Sequence, residues 1–159
     1  MKKKILLGII GREGLISGKG GESKHLVNLF KLTTAPAYLR IIAQALIEIM
    51  ETKPDMLASP SIESDPIVTA LSLETGLPFV CIHGGNVLYG EIEKGASIDI
   101  IADVTLTGET VLSTIKTINE LGKVRRVYTV VDLEKGAHEK FKKEGIDLIS
   151  LIRISELDL

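Results

Sequence analysis

Between residues 56 and 152, short apolar runs alternate with stretches of helical periodicity, and this alternation leaves few architectures open. Met56–Ala58, Pro78–Ile82, Ile98–Ile101, Val124–Val131 and Ile146–Ile152 are apolar with little polar interleaving, as in strands buried on both faces. Pro66–Thr75 reads as a helix stopped by Gly76. Glu109–Leu121 carries apolar residues at 111, 112, 115, 118 and 121, with Gly122 as its stop. Glu134–Glu144 reads as a polar helix. Upstream, Tyr38–Met50 has a full helical stripe behind Pro36, a residue suited to a helix start. Gly84-Gly85 and Gly90 mark a loop or hairpin, and Lys94-Gly95 a turn. Strands joined by crossover helices predict an α/β domain with a mostly parallel central sheet flanked by helices. Ligands on such sheets bind beyond the carboxyl ends of the strands.

Composition narrows the function classes. The chain has 159 residues, 45% of them apolar and 25% charged, with a net charge of −2. That length supports one domain burying roughly 70% of its unfolded surface. Residues 1–16 read as an N-terminal arm and 17–159 as the core, divided by the turn-rich Ser17–Ser23. There is no basic excess to suggest nucleic acid, and aromatics are only 4%, too few for a stacking surface. Lys2-Lys3-Lys4 ahead of Ile5–Ile10 imitates a signal peptide, but the apolar run is too short for export or membrane spanning. A single cysteine, Cys81, excludes an internal disulfide and fits the cytoplasm. Cys81 lies in an apolar strand and reads as core. His25 and His138 have no spacing to each other or to Cys81 that suggests ligation, so no protein-held metal is expected.

The most informative segment is Ile98–Val111, IDIIADVTLTGETV. An apolar strand closes at Asp103, and Val104–Glu109 leads into a helix. A helix start offers unpaired N–H groups and partial positive charge, which suits a phosphate. Thr105, Thr107 and Thr110 add hydroxyls, and Gly108 allows close backbone approach. Asp103 is unsuited to phosphate but can accept hydrogen bonds from sugar hydroxyls. The pattern therefore reads as a sugar-phosphate site. It reads equally as an ordinary helix cap, since threonine, glycine and first-turn acids are common there.

IIADVTLTGETV resembles the phosphoribosyl-pyrophosphate (PRPP) motif of type I phosphoribosyltransferases, and further segments resemble orotate phosphoribosyltransferase in particular. These are Ser17-Gly18-Lys19 with Val27-Asn28-Leu29, then DMLASPSIESDPIVTA, LPFVCIH, YGEIEKGASIDIIADV and SLIRISEL, in one order over residues 14–159. The resemblance implies the type I phosphoribosyltransferase fold. It implies that Thr107, Gly108, Glu109 and Thr110, with Thr105, cradle the 5-phosphate. Asp103 would hold a ribose hydroxyl. Ser59, Pro60, Ser61, Ile62, Glu63, Ser64 and Asp65 would form the pyrophosphate loop, and Lys19 would approach the base or the pyrophosphate. Mg²⁺ would ride on PRPP rather than in a protein cage. A homodimer is implied too, with Ile5–Ile10 as a contributor to its interface.

The chain also departs from the family's pattern. Ala102 stands where the motif has its first acid. Glu109 replaces a common glycine, and its bland reading is a first-turn acid complementing the helix dipole. Glu63 and Asp65 would place two carboxylates against an anionic leaving group. No Lys or Arg occurs from Pro54 to Glu93, where the family has a mobile lysine-bearing loop ending in His-Gly. His83-Gly84 reads either as the stump of that loop or as a hairpin with a surface histidine. Two functions follow. One is an enzyme that joins PRPP to a base such as orotate. The other is a binding module on the same fold that holds PRPP or a nucleoside 5′-monophosphate without turnover.

Overall fold

The computed structural model describes residues 2–13, 15–17 and 25–157, and of these it describes the backbone alone for 12–13, 15–17 and 25–27. The elements run α1 (Lys2–Glu13), β1 (Leu15–Ser17), β2 (His25–Val27), α2 (Phe30–Thr33), α3 (Pro36–Ile49), β3 (Met56–Ser59), α4 (Asp65–Thr75), β4 (Phe79–His83), β5 (Asn86–Tyr89), β6 (Ser97–Thr105), α5 (Glu109–Ile118), β7 (Lys123–Asp132), α6 (Ala137–Lys143) and β8 (Asp147–Arg153). The five expected strands and the principal helices form within a few residues of their expected bounds. The short elements β1, β2 and α2 carry too few residues for periodicity to show.

Six strands make one sheet in the order β5-β4-β3-β6-β7-β8, parallel except for the β5 edge, which runs antiparallel to β4. β4 and β5 form a hairpin in which His83 pairs with Asn86. Its two turn residues, Gly84 and Gly85, have φ of 57° and 78°, conformations that cost glycine little. Thr117 of α5 donates to the Gly85 carbonyl at 2.6 Å and pins the hairpin tip.

Alternate side chains of each central strand serve opposite faces. On one face Leu57, Ile101, Tyr128 and Leu151 pack against α1, α3 and α4. On the other, Ala58, Ile98, Ile100 and Val127 pack against α5 and α6. Leu6, Ile9 and Ile10 of α1 belong to the first of these cores, with Leu6 and Ile10 fully buried. Among the described residues no helix is long and apolar enough to cross a membrane.

The strand order positions the site. The chain leaves β3 toward β4 on one side and leaves β6 toward β7 on the other, although β3 and β6 are neighbours. Connections that diverge from adjacent strands open a crevice at the carboxyl edge. Here that crevice lies between Ser59, where β3 ends, and Asp103 near the end of β6.

Candidate functional site

A cleft of about 230 Å³ occupies this crevice, lined by Pro60, Ser61, Glu63 and Ser64 from one side and by Ala102, Asp103, Val104, Thr110 and Val111 from the other. Two strand-to-helix connections meet across it, as the strand ends and the motif anticipate.

β6 continues to Thr105, so Asp103 sits two residues inside the strand rather than at its last position. Its backbone N–H donates to Ser64 Oγ at 3.1 Å, and its Oδ1 lies 3.2 Å from the same hydroxyl, which donates to it. Thr129 Oγ1 donates to the Asp103 carbonyl at 3.4 Å. Burial raises the Asp103 carboxyl above the usual range; the N–H of Val104 and the Ser64 hydroxyl oppose that rise, and nearby Glu63 adds to it. The result is a fixed, half-buried acceptor with lone pairs left for a ligand.

The opening of α5 carries no side-chain cap. Its N-cap residue is Gly108 at φ 84°, and the flanking Thr107 and Thr110 are exposed. Of the ordinary-cap reading, the glycine and the first-turn acid Glu109 are present but no threonine caps the helix, so the first-turn amides have no side-chain partner. Gly108 is required twice over. A Cβ there would sit in the left-handed region and 2.8 Å from the ring of Phe141. Thr110 lines the cleft, whereas Thr105 is 2% exposed within the sheet, with its hydroxyl unpartnered and off the cleft wall. Glu109 points outward and pairs with Lys140 of α6, whose ammonium holds the carboxyl below its usual range. That pairing, with the first-turn position, accounts for Glu109 locally.

The opposing loop is wound on itself. Buried Ser59 donates to Asp65 Oδ1 at 2.5 Å, and its hydroxyl lies 2.9 Å from the Ser61 carbonyl. Ser61 and Ser64 share a hydroxyl bond at 3.0 Å. Only one of the two expected acids faces the cleft. Glu63 lines it, while Asp65 turns to the opposite side and binds His83 Nε2 at 3.0 Å. The reason is register: Asp65 is the first residue of α4 and leans over β4. Ile62 is 69% exposed and lies outside the cleft. The hairpin expected at His83-Gly84 forms, but His83 is not a free surface group: it faces inward as a partner of Asp65, its side chain 21% exposed. Lys19 lies outside the described residues. Among the described residues no Lys or Arg lines the cleft.

Sequence reasoning placed Ser64 in the pyrophosphate loop but missed its bonds to Asp103, which lock the two halves together. Its only signal was a hydroxyl ahead of a helix start. A second cleft, of about 200 Å³, lies beside β8, but Asp132, Glu134 and Glu139 on its wall suit it poorly to an anion.

No protein-family model matches the chain. It is 37% identical over 172 residues to the orotate phosphoribosyltransferase of Pyrococcus horikoshii, an alignment covering 98% of this chain and 92% of the relative. A phosphoribosyltransferase from Corynebacterium diphtheriae has the same fold, with a TM-score of 0.89 over 99% of each chain at 22% identity. The orotate phosphoribosyltransferase of Mycobacterium tuberculosis in complex with 5-phospho-α-D-ribosyl 1-diphosphate matches at a TM-score of 0.85 over 100% of both chains, at 21% identity. The identity over nearly the whole chain, with the shared fold beside it, leads to one conclusion: the chain belongs to the orotate phosphoribosyltransferase family.

Proposed function

We propose that this protein transfers the 5-phosphoribosyl group of PRPP to a pyrimidine-type base such as orotate, releasing diphosphate. The observation that carries the reading is the uncapped opening of α5 beside the fixed carboxylate of Asp103 on one cleft. The relatives named above are its second support. The first-turn amides, with Gly108 allowing close approach and the Thr110 hydroxyl alongside, receive the 5-phosphate. Asp103 accepts from a ribose hydroxyl. Pro60–Ser64, stiffened by its own hydroxyl bonds, lies along the diphosphate.

In the reaction a base nitrogen forms a bond to the anomeric carbon as the bond to the diphosphate oxygen breaks. The diphosphate leaves with that electron pair, and the sugar carries positive charge in the transition state. Glu63 and Asp103, both on the cleft wall, stabilise that charge electrostatically. Mg²⁺ enters as part of the substrate, bound to the diphosphate, and two cleft carboxylates suit a cation arriving there. Fixing base and sugar in one cleft removes most of the entropic cost of their encounter.

The deciding experiment mixes protein, PRPP, Mg²⁺ and orotate and follows orotidine 5′-monophosphate and diphosphate. Turnover supports the reading, and absence of product over a panel of bases ends it. Calorimetry with nucleoside 5′-monophosphates then separates a binding module, which retains affinity, from a misassigned site, which has none. A homodimer forms part of the same reading and is tested by sedimentation. Leu6, Ile9 and Ile10 are spent on the protein's own core, so any interface draws on other residues.

A further inference from the structure

We propose that Asp65, Cys81 and His83 form a binding site for one zinc-type divalent cation, with a fourth coordination position open to solvent.

The site follows from strand periodicity and one helix start. Cys81 and His83 stand two apart on β4, so their side chains share a face. α4 covers that face, and its first residue, Asp65, leans over both. A sulfur, a ring nitrogen and a carboxylate oxygen thereby converge, all within 4.8 Å of one another. Bonds of about 2.0–2.3 Å in a tetrahedron separate donor atoms by about 3.3–3.8 Å, so closing on a cation takes shifts of about 1 Å. The side chains of Asp65 and His83 are 26% and 21% exposed, which leaves them freedom to move and leaves an entry path.

The donor chemistry selects the ion. A thiolate with an imidazole favours zinc and its soft or borderline neighbours over Mg²⁺ or Ca²⁺, which require oxygen. Cys81 is 4% exposed, yet it does not sit among apolar groups alone, because its thiol donates to Asp65. One carboxylate thus gathers the Cys81 thiol, His83 Nε2 and the Ser59 hydroxyl. On binding, the sulfur–metal bond forms as the thiol proton leaves to solvent, with no redox change. Because that proton is released on binding, affinity rises with pH. Asp65 also closes the loop that faces the diphosphate, and no Lys or Arg occurs from Pro54 to Glu93. A bound dication would supply positive charge behind that loop. This consequence alone rests on the phosphoribosyl-transfer reading.

The test is titration of the purified full chain with Co²⁺ alone, under a phosphine reductant. Cys81 is the only cysteine, so thiolate-to-cobalt charge-transfer absorption in the near ultraviolet reports it without ambiguity. The expected result is one equivalent of Co²⁺ bound with that band, displaced by equimolar Zn²⁺. Cys81→Ser should abolish the band. His83→Ala and Asp65→Asn should each weaken binding by about tenfold or more, and His138→Ala should leave it unchanged. Absence of the band in the unaltered protein overturns the proposal, whatever the variants' folding. Persistence of the band in Cys81→Ser overturns it too. Product formation is not read, so the transferase reading and the metal site stand or fall separately.

Discussion

The turn after β6 and the turn after β3 do the same topological job and are built in opposite ways. Each carries the chain from a strand end into a helix at the carboxyl edge of the sheet. The turn after β6 is short, Leu106 to Gly108, and leaves the first amides of α5 without a side-chain partner. The turn after β3 runs from Pro60 to Ser64 and satisfies itself through Ser59, Ser61, Ser64 and Asp65. One leaves its backbone donors without a side-chain partner; the other uses its hydroxyls to hold a shape. A site for a sugar phosphate requires both kinds. The donors must be unspent, and the wall facing them must not collapse into the space they leave.

The sharpest way to break this contrast is Gly108→Val. The new Cβ meets Phe141 at 2.8 Å from a φ of 84°. Backbone strain alone costs about 1–3 kcal/mol. Loss of two amide contacts to an anion weakens nucleoside 5′-monophosphate binding by about a hundredfold or more. Calorimetry on the folded fraction checks it. Unchanged affinity would show that the anion sits elsewhere.

Ser64→Ala attacks the other turn. Ser64 is fully buried and meets both the N–H and the carboxylate of Asp103. Leaving those groups without it costs about 1–3 kcal/mol, read as a lower urea midpoint, and about tenfold in ribose-phosphate affinity. If stability falls and affinity holds, the loop is scaffold only.

β6 supplies a control remote from both turns. Asp99 is fully buried, its Oδ1 3.3 Å from Arg125 Nε without hydrogen-bond alignment. Burial lifts its carboxyl from 3.8 to about 6, against the pull of Arg125 and Arg126. The folded state therefore holds this proton more tightly than the unfolded chain. Stability is greatest below pH 4 on this account and declines as pH rises toward 6, by up to about 3 kcal/mol. Asp99→Asn should remove that slope and raise the midpoint at pH 7 without touching ligand affinity. A slope that survives the substitution refutes the assignment.

The smallest effect is expected from Glu109→Gln. Glu109 is exposed and paired with Lys140. The urea midpoint should not move measurably, and affinity for a phosphate ester should change by less than about fivefold. A larger gain would place Glu109 against the phosphate after all.

Much of this was legible along the chain. Buried runs and glycine stops marked the central strands and principal helices, because burial on both faces imposes an unbroken apolar pattern. The Ile98–Val111 segment announced an acid and a helix start at the edge where ligands bind. Partnerships across the sheet were not legible. Nothing in the spacing of Glu63 and Asp65 told that one faces the cleft and the other faces His83. Nothing marked Ser64 as the bridge to Asp103, 39 residues away.

Sequence alone determined the alternation of elements, the family resemblance and the glycine at the start of α5. These are local properties, set by side-chain periodicity and backbone freedom. Tertiary structure decided which polar groups are spent on one another and which remain for a ligand. It set Asp65 on Cys81 and His83, Ser64 on Asp103, and left the α5 amides uncapped. The physical reason is that hydrogen-bond satisfaction is counted over space, not along the chain. A buried donor takes whichever acceptor the packed sheet and helices bring within about 3 Å.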